Sequence, residues 1–339
     1  MSNNITNELG ISFILPIFNV EPYLEKCLNS IERQTSSRWE AILVDDGSTD
    51  DSSAICKSYA ARNSKFRYIR QANQGQGSAR NNGLKLAEKS YVCFVDPDDW
   101  ISEETTQTLL ELMNTSDADF ANFGIEFITS SGKIKRKIYK FKDKELTGKA
   151  IFHKALLDLD IYTSPCNKIY RTSFLKLNEI QFPHLKAYED VFFSRKLSLH
   201  AKKCLFIENI LYHALIRAES TTRTLSPQKI TQVNDVIFLE KSAFIGPETP
   251  GSELEVFNAH ILKFTTYMIF QAAFRVRNYN DYMTCVSAMH SASKPALFET
   301  PRAARHLSMN NRVLTYAAFN PKFTYWCAKL LSLLGYRPY

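Results

Sequence analysis

No apolar run in this chain reaches the roughly 18 residues that a membrane-spanning helix requires, so no helical span is expected in it. Cysteines at metal or redox spacing are also missing. Cys27, Cys56, Cys93, Cys166, Cys204, Cys285 and Cys327 are odd in number, lie far apart, and form no CxxC or CxxH. That argues against a disulfide framework and leaves reduced, buried thiols in a cytosolic protein as the expectation. The opening residues, MSNNITNELG, have neither a basic start nor an apolar core, so no signal peptide is expected. Internal repeats and low-complexity linkers are absent as well.

What is present is ordinary globular material. The chain has 339 residues, 45% hydrophobic and 23% charged, enough for more than one core. Its net charge of +7 fits an anionic partner: nucleic acid, a phosphate-bearing substrate or an acidic membrane surface.

One stretch stands out. In YVCFVDPDDW, the apolar run Tyr91 to Val95 breaks abruptly into Asp96, Asp98 and Asp99. The run reads as a strand buried on both faces. Buried carboxylates need a positive partner, and a divalent cation is the simplest. Mg²⁺ and Mn²⁺ prefer oxygen, and Mg²⁺ is commonly held by one or two carboxylates plus substrate phosphates. A metal–diphosphate site at the end of a central strand is therefore expected.

Upstream, ISFILPIF (11–18) and WEAILV (39–44) read as strands, with a third at 66–69. Pro16 suggests a strand edge or exit. Glu21-Pro22 opens a helix with Leu24, Cys27, Leu28 and Ile31 on one face. A second helix carries Ile55, Cys56 and Tyr59, and a third follows the polar loop Asn73 to Ser78. Four strand–helix alternations predict a largely parallel α/β sheet. Ligands bind beyond the carboxyl ends of such strands, where Asn19, Glu21, Asp45, Asp46 and the three later acids fall.

Farther on, the pattern predicts a helix over 102–113, a strand over 119–128, and an exposed lysine-rich hairpin or edge strand over 133–149. A helix over 189–199 would place Glu189 and Asp190 in its first turn, favoured there by the helix dipole. From about 228 onward the chain reads as helix, over 230–244, 254–276, 282–291 and 312–334. Two domains are expected, 1–227 catalytic and 228–339 helical. Residues 322–339 mix Phe323, Tyr325, Trp326 and leucines with Lys322, Lys329 and Arg337, which suits a membrane interface, a core helix or a dimer helix.

Taken in order, ILPIFNVEPYLEKCLNSI, ILVDDGSTDDS, NQGQGSARNNGL, YVCFVDPDDWI, PCNKIYR and YEDVFFSRK resemble the family 2 glycosyltransferases of GT-A fold that build bacterial capsule, lipopolysaccharide and other surface glycans. The resemblance covers about residues 10–225. It implies a mostly parallel Rossmann-like sheet with a helical C-terminal extension. Asp96 and Asp98 would match the metal-binding DxD, with Asp98 on the metal, Asp96 shared between metal and ribose, and Asp99 in support. Asp45, with Asp46 nearby, would read a uracil-type base. Pro16, Glu21, Arg80 and Arg217 would line the donor site, and Asp190 would be the catalytic base with Glu189 beside it. Where relatives often read LYYYRIRxxSTT, this chain reads LYHALIRAESTT. That departure makes His213 a candidate metal or phosphate contact, and leaves Arg217 and Ser220 as the residues of that strand still matching the family.

These assignments answer two chemical demands. A diphosphate leaving group gains charge, which Mg²⁺ or Mn²⁺ can stabilise. The acceptor hydroxyl must lose a proton to a carboxylate within hydrogen-bond reach. One base and no covalent nucleophile imply inversion. The expected activity is transfer from a nucleoside-diphosphate donor, a UDP-sugar, to a glycan or polyprenyl-diphosphate-linked saccharide. The expected location is the cytoplasm, peripherally on the inner face of the inner membrane.

Two other readings compete. A nucleotidyltransferase would carry a glycine-rich basic loop after the first strand, but PIFNVEPY has no glycine and an acid. A nucleic-acid-binding protein would show an RNP, zinc or helix-turn-helix signature, and its cleft would not be crowded with acids. No nucleic-acid partner is therefore expected.

Overall fold

The computed structural model describes residues 8–185, 187–217, 227–276, 278–298, 305–318 and 320–333. Ser220 lies outside them. The chain divides into two compact units. One comprises residues up to 152 with 160–185 and 189–217; the other comprises 153–159, 186–188 and the chain from 218 onward.

The first unit opens with β1 (Glu8–Ile17), α1 (Glu21–Glu32), β2 (Trp39–Asp45), α2 (Ser52–Arg62), β3 (Phe66–Arg70), α3 (Gln76–Leu86) and β4 (Lys89–Phe94). The parallel order β3-β2-β1-β4 follows from apolar content: every residue of β2 is buried, as is β1 from Gly10 onward. Pro16 is not at a sheet edge. Its strand lies between β2 and β4, but pairing with β4 stops at Ile14–Phe94, whereas Pro16 still lies opposite Val44 of β2. The missing N–H thus falls where β4 has already left the ladder.

The chain continues through β5 (Trp100–Ile101), α4 (Thr105–Asn114), β6 (Phe120–Thr129), β7 (Ile134–Ile138), β8 (Glu145–Thr147), α5 (Lys149–Leu156), β9 (Lys168–Arg171), α6 (Thr172–Leu177), α7 (Glu189–His200) and β10 (Lys203–Ile216). The full path is β3-β2-β1-β4-β9-β6-β10-β5, with β7 on β6 and β8 on β10. Strand β9 runs antiparallel to both β4 and β6 and joins the parallel half to the rest. The helix expected from 102 starts at Thr105, because Trp100-Ile101 pairs with Tyr212-His213 of β10. The lysine-rich segment forms two short, largely exposed strands.

The second unit holds α8 (Pro227–Phe244), α9 (Gly251–Arg275), α10 (Tyr279–Phe298), α11 (Met309–Ala318) and α12 (Pro321–Leu333). The single helix expected over 312–334 is two, with Pro321 opening the second in the first turn, where its missing N–H costs nothing. Helix α9 is the central one, with Val256, Phe257, Ile261, Leu262, Ile269 and Ala272 buried. Inside the unit, His260 bonds Glu240 at 2.8 Å and the Leu156 carbonyl at 3.0 Å. A buried charge-capable pair of this kind needs such partners. No helix among the described residues is long and apolar enough to cross a membrane.

Candidate active site

The carboxyl ends of β1, β2 and β4 converge, and the loops after them are stitched together. The Asn19 side chain accepts the Thr49 amide at 2.8 Å, the Val20 amide donates to Ser52 Oγ at 3.0 Å, and the Glu21 amide donates to Asp50 at 3.0 Å. Glu21 itself is exposed at the start of α1, with its carboxylate 3.4 Å from the Asp51 amide.

Asp45 and Asp46 are both buried, with different duties. Asp45 accepts the Ser48 amide at 2.8 Å and the Tyr68 hydroxyl at 2.9 Å, and Arg70 Nε lies 3.7 Å away. Burial alone would raise its pKa, but the Ser48 and Tyr68 hydrogen bonds outweigh it and hold the group below the usual carboxylate range. Asp46 accepts the Gln71 side chain and the Gln74 and Gly75 amides at 2.7 to 2.8 Å. It therefore anchors the 71–75 loop, in which Gly75 takes φ +87°, a conformation open to glycine. Asp46→Ala should cost about 1–3 kcal/mol, since it takes the acceptor from three part-buried donors of the 71–75 loop; a urea midpoint equal to wild type would contradict the anchoring role.

Asp96, Asp98 and Asp99 separate sharply. Asp99 is buried, accepting the Tyr212 hydroxyl and the Leu215 amide, each at 2.7 Å. Tyr212 also receives the Asp96 amide at 3.1 Å, so Asp99 pins β10 against the end of β4. Burial, then repulsion from Asp96 and Asp98, pushes the Asp99 carboxyl well up. Asp98 pairs with Arg217 at 2.7 Å. Its pKa is raised by burial and by Asp96, with Arg217 opposing. Asp96 pairs with Arg80 at 2.7 Å. A divalent cation is the simplest partner expected for these acids; two arginines, a tyrosine and a backbone amide compensate them as well.

Arg80 is the central tie. It is 2% exposed, on a helix face turned into the protein. One guanidinium nitrogen bonds Asp96, and another bonds Glu189 at the start of α7 at 3.2 Å. Burial disfavours its charge, but Asp96 and Glu189 outweigh that penalty. Gln76 also donates to Glu189 at 2.7 Å. At Gly77, a Cβ would stand 3.1 Å from Glu189 Cγ and from Phe182 Cβ, so a glycine lets α3 approach this closely. Both bonds fall on Glu189 Oε1, which ties this carboxylate to Arg80 and Gln76. Asp190 differs: it is partly exposed and accepts only its neighbour's amide, that of Val191, at 2.9 Å. Among the described residues no side chain bonds it. Burial, then Glu189, pushes its carboxyl up to about 7, against the pull of Arg80.

His213, the candidate metal or phosphate contact, has both ring nitrogens in hydrogen bonds: Nδ1 lies 2.8 Å from Glu126 and Nε2 2.9 Å from Ser102 Oγ. The ring stacks on Trp100 at 5.5 Å. Strand alternation explains this, since Tyr212 points to the acids and the next residue to the opposite face.

A divalent cation fits the remaining donors. Asp96 bonds Arg80 through Oδ1 only, and Asp98 bonds Arg217 through Oδ2 only, leaving one hard oxygen on each. No group of three His, Cys, Asp or Glu among the described residues is placed to hold an ion alone. A cation here needs oxygens from a second source, such as a diphosphate.

Several contributors are not among the candidate residues read from the sequence. Tyr68 and Arg70 reach Asp45 through the β2–β3 register, which pairs Asp45 with Arg70. Tyr212 and Gln76 reach the acids from 116 and 113 residues away in sequence. Lys168, within PCNK, is buried and driven down to about 7 by that burial, and it donates to the Tyr162 carbonyl at 2.8 Å. It holds a loop.

A sheet with this strand order, and acids at the ends of its central strands, defines an α/β protein of the GT-A nucleotide-diphospho-sugar type. Comparison narrows the class. Residues 12–177 match the family described as Glycosyl transferase family 2. The glycosyltransferase GlyG of Streptococcus pneumoniae is 31% identical over 223 residues, 63% of this chain and 73% of GlyG. The poly(ribitol-phosphate) β-N-acetylglucosaminyltransferase TarS of Staphylococcus aureus is 31% identical over 239 residues, 68% of this chain but 40% of TarS. The crystal structure of TarS 1–349 with UDP-GlcNAc superposes with a TM-score of 0.71 at 26% identity, covering 97% of this chain and 93% of that one. The chain belongs to glycosyltransferase family 2 and is a glycosyltransferase.

Proposed function

We propose that this enzyme moves a sugar from a UDP-sugar to a hydroxyl of a surface-glycan acceptor carried on a polyprenyl diphosphate, with inversion at the anomeric carbon. The observation that carries this reading is the Arg80 bridge. One guanidinium links the DxD acid Asp96 to Glu189 and so brings the start of α7, with Asp190, to the end of β4. The leaving-group site and the proton acceptor thereby become neighbours.

In this reading Asp45, Tyr68 and Arg70 form the wall against the base, with Asp45 ordering the other two. Asp96 and Asp98 would hold Mg²⁺ or Mn²⁺, which when bound would supply Lewis-acid stabilisation of the departing diphosphate. Arg217, already on Asp98, adds positive charge to the same edge. Asp190 takes the proton of the acceptor hydroxyl as its oxygen bonds to the anomeric carbon and the bond to the diphosphate breaks. Glu189, the carboxylate next to Asp190, is tied to Arg80 and Gln76 through Oε1, which supports single displacement with Asp190 as the base. UDP-GlcNAc bound by TarS supports a uridine donor, and the seven free thiols support a cytoplasmic protein.

A donor screen scored by nucleoside-diphosphate release tests this reading. UDP-sugars should be turned over and pyrophosphate should not appear. EDTA should lower transfer by about 100-fold or more, with recovery on adding Mn²⁺ or Mg²⁺. Asp98→Ala should stay inactive in either ion while keeping wild-type circular dichroism. Full transfer in EDTA would exclude the metal role, and pyrophosphate release would favour a nucleotidyltransferase.

A further inference from the structure

Helix α12 is apolar on its outward side. Phe323 is 62% exposed, Trp326 60%, Leu330 60% and Leu333 84%. At 100° per residue these positions, spaced 3, 4 and 3 apart, share one face. The opposite face carries the buried Thr324, Tyr325 and Ala328, with Tyr325 packed on Tyr279 and Tyr282 at 5.2 and 5.1 Å between ring centroids. Both faces are thus apolar, yet the helix is already anchored to its own unit by only one. A contiguous exposed stripe of large apolar side chains marks an interaction surface.

Charge identifies what covers it. After Glu299 the sequence has no acidic residue, but it has Arg302, Arg305, Arg312, Lys322, Lys329 and Arg337. These six cations compare with a net charge of +7 for the whole chain. A second copy meeting this helix about a two-fold axis would oppose like charges, with no acid on the segment to pair with them. An anionic lipid surface complements the cations, and Trp and Phe favour the headgroup boundary. Lys322, exposed at the start of the helix, can reach headgroups. With 13 residues the helix is about 20 Å long, and it lies along a membrane rather than across one.

We propose that the α12 stripe Phe323-Trp326-Leu330-Leu333 docks in the plane of an anionic bilayer, held by apolar insertion and by the acid-free basic C-terminal segment. This assignment does not depend on the donor, the metal or the base proposed above, and its test reads no catalysis.

The full chain is floated with vesicles of phosphatidylcholine alone or with phosphatidylglycerol added. Binding should be about tenfold or more stronger to the anionic vesicles, because each basic residue near such a surface contributes roughly fivefold. It should weaken at about 0.5 M NaCl, where screening is short-ranged. The triple variant Phe323→Ser/Trp326→Ser/Leu330→Ser should lose binding while melting as wild type, since all three side chains are exposed. Lys322→Glu should weaken it severalfold. Absence of binding to either vesicle overturns the proposal, as does equal binding to both. A concentration-dependent dimer abolished by the triple variant, without vesicle binding, overturns it in favour of a second copy.

Discussion

Asp190→Asn is expected to lower turnover by about a thousandfold with donor affinity unchanged, because it removes a proton acceptor and leaves the diphosphate contacts in place. The amide keeps the size of the carboxylate, and the Val191 amide can still bond its oxygen. In the wild type, the carboxyl raised to about 7 predicts an acidic limb in kcat/KM near neutral pH, with activity falling as the base protonates. Glu189→Gln should move that limb to lower pH, since repulsion from Glu189 is the second cause of the shift, after burial. A linked stability effect follows, with a definite sign. The folded pKa lies above the unfolded value of about 3.9. Ionised Asp190 therefore penalises the fold fully above pH 7, and the penalty fades as pH falls from 7 towards 4. Asp190→Asn should accordingly be more stable than wild type at pH 8, by about 1–3 kcal/mol, with the gap closing near pH 4. Near-normal transfer by Asp190→Asn would remove it as the base.

The parallel half of the sheet is legible in sequence because β1, β2 and β4 contain apolar runs, β2 and β4 leading into acids, and α1 carries one apolar stripe. The antiparallel half is not. Strand β9 contains Lys168 and Arg171, so it does not read as an apolar run, and Lys168 is buried because its ammonium donates to carbonyls of the loop just before it, those of Tyr162 and Ser164. Strand β10 spans 14 residues with mixed polarity and partial burial, so alternation does not reveal it. The acids of the site are legible as a cluster, but their roles are not. Asp46 and Asp99 resemble ligands in sequence, and both are consumed by backbone amides supplied by other segments. His213 looks available until the register of β5 on β10 sets it against Trp100. Its position was readable; its orientation required the pairing.

Arg80→Met is expected to have the largest combined effect. It leaves Glu189, 2% exposed, as a buried carboxylate without its cation, at a cost of about 3–5 kcal/mol. The arginine spans 16 residues to Asp96 and 109 to Glu189, so its loss also unties the DxD end of β4 from α7. Transfer should fall by about 100-fold or more, because small displacements of reacting groups carry costs of that size. A double mutant separates the two effects. Arg80→Met/Glu189→Gln has no unpaired buried charge at that position, so it should regain much of the lost stability. The two changes are then non-additive, as expected for residues in one network. Activity should not return with stability, because Asp96 still lacks its partner and the polar tie between the Asp96 loop and the start of α7 is gone. Urea unfolding of the four proteins in the cycle, with kcat/KM for each, reads both quantities. Additive stability losses would mean that the bridge carries no coupling. Recovery of transfer in the double mutant would mean that it is structural only.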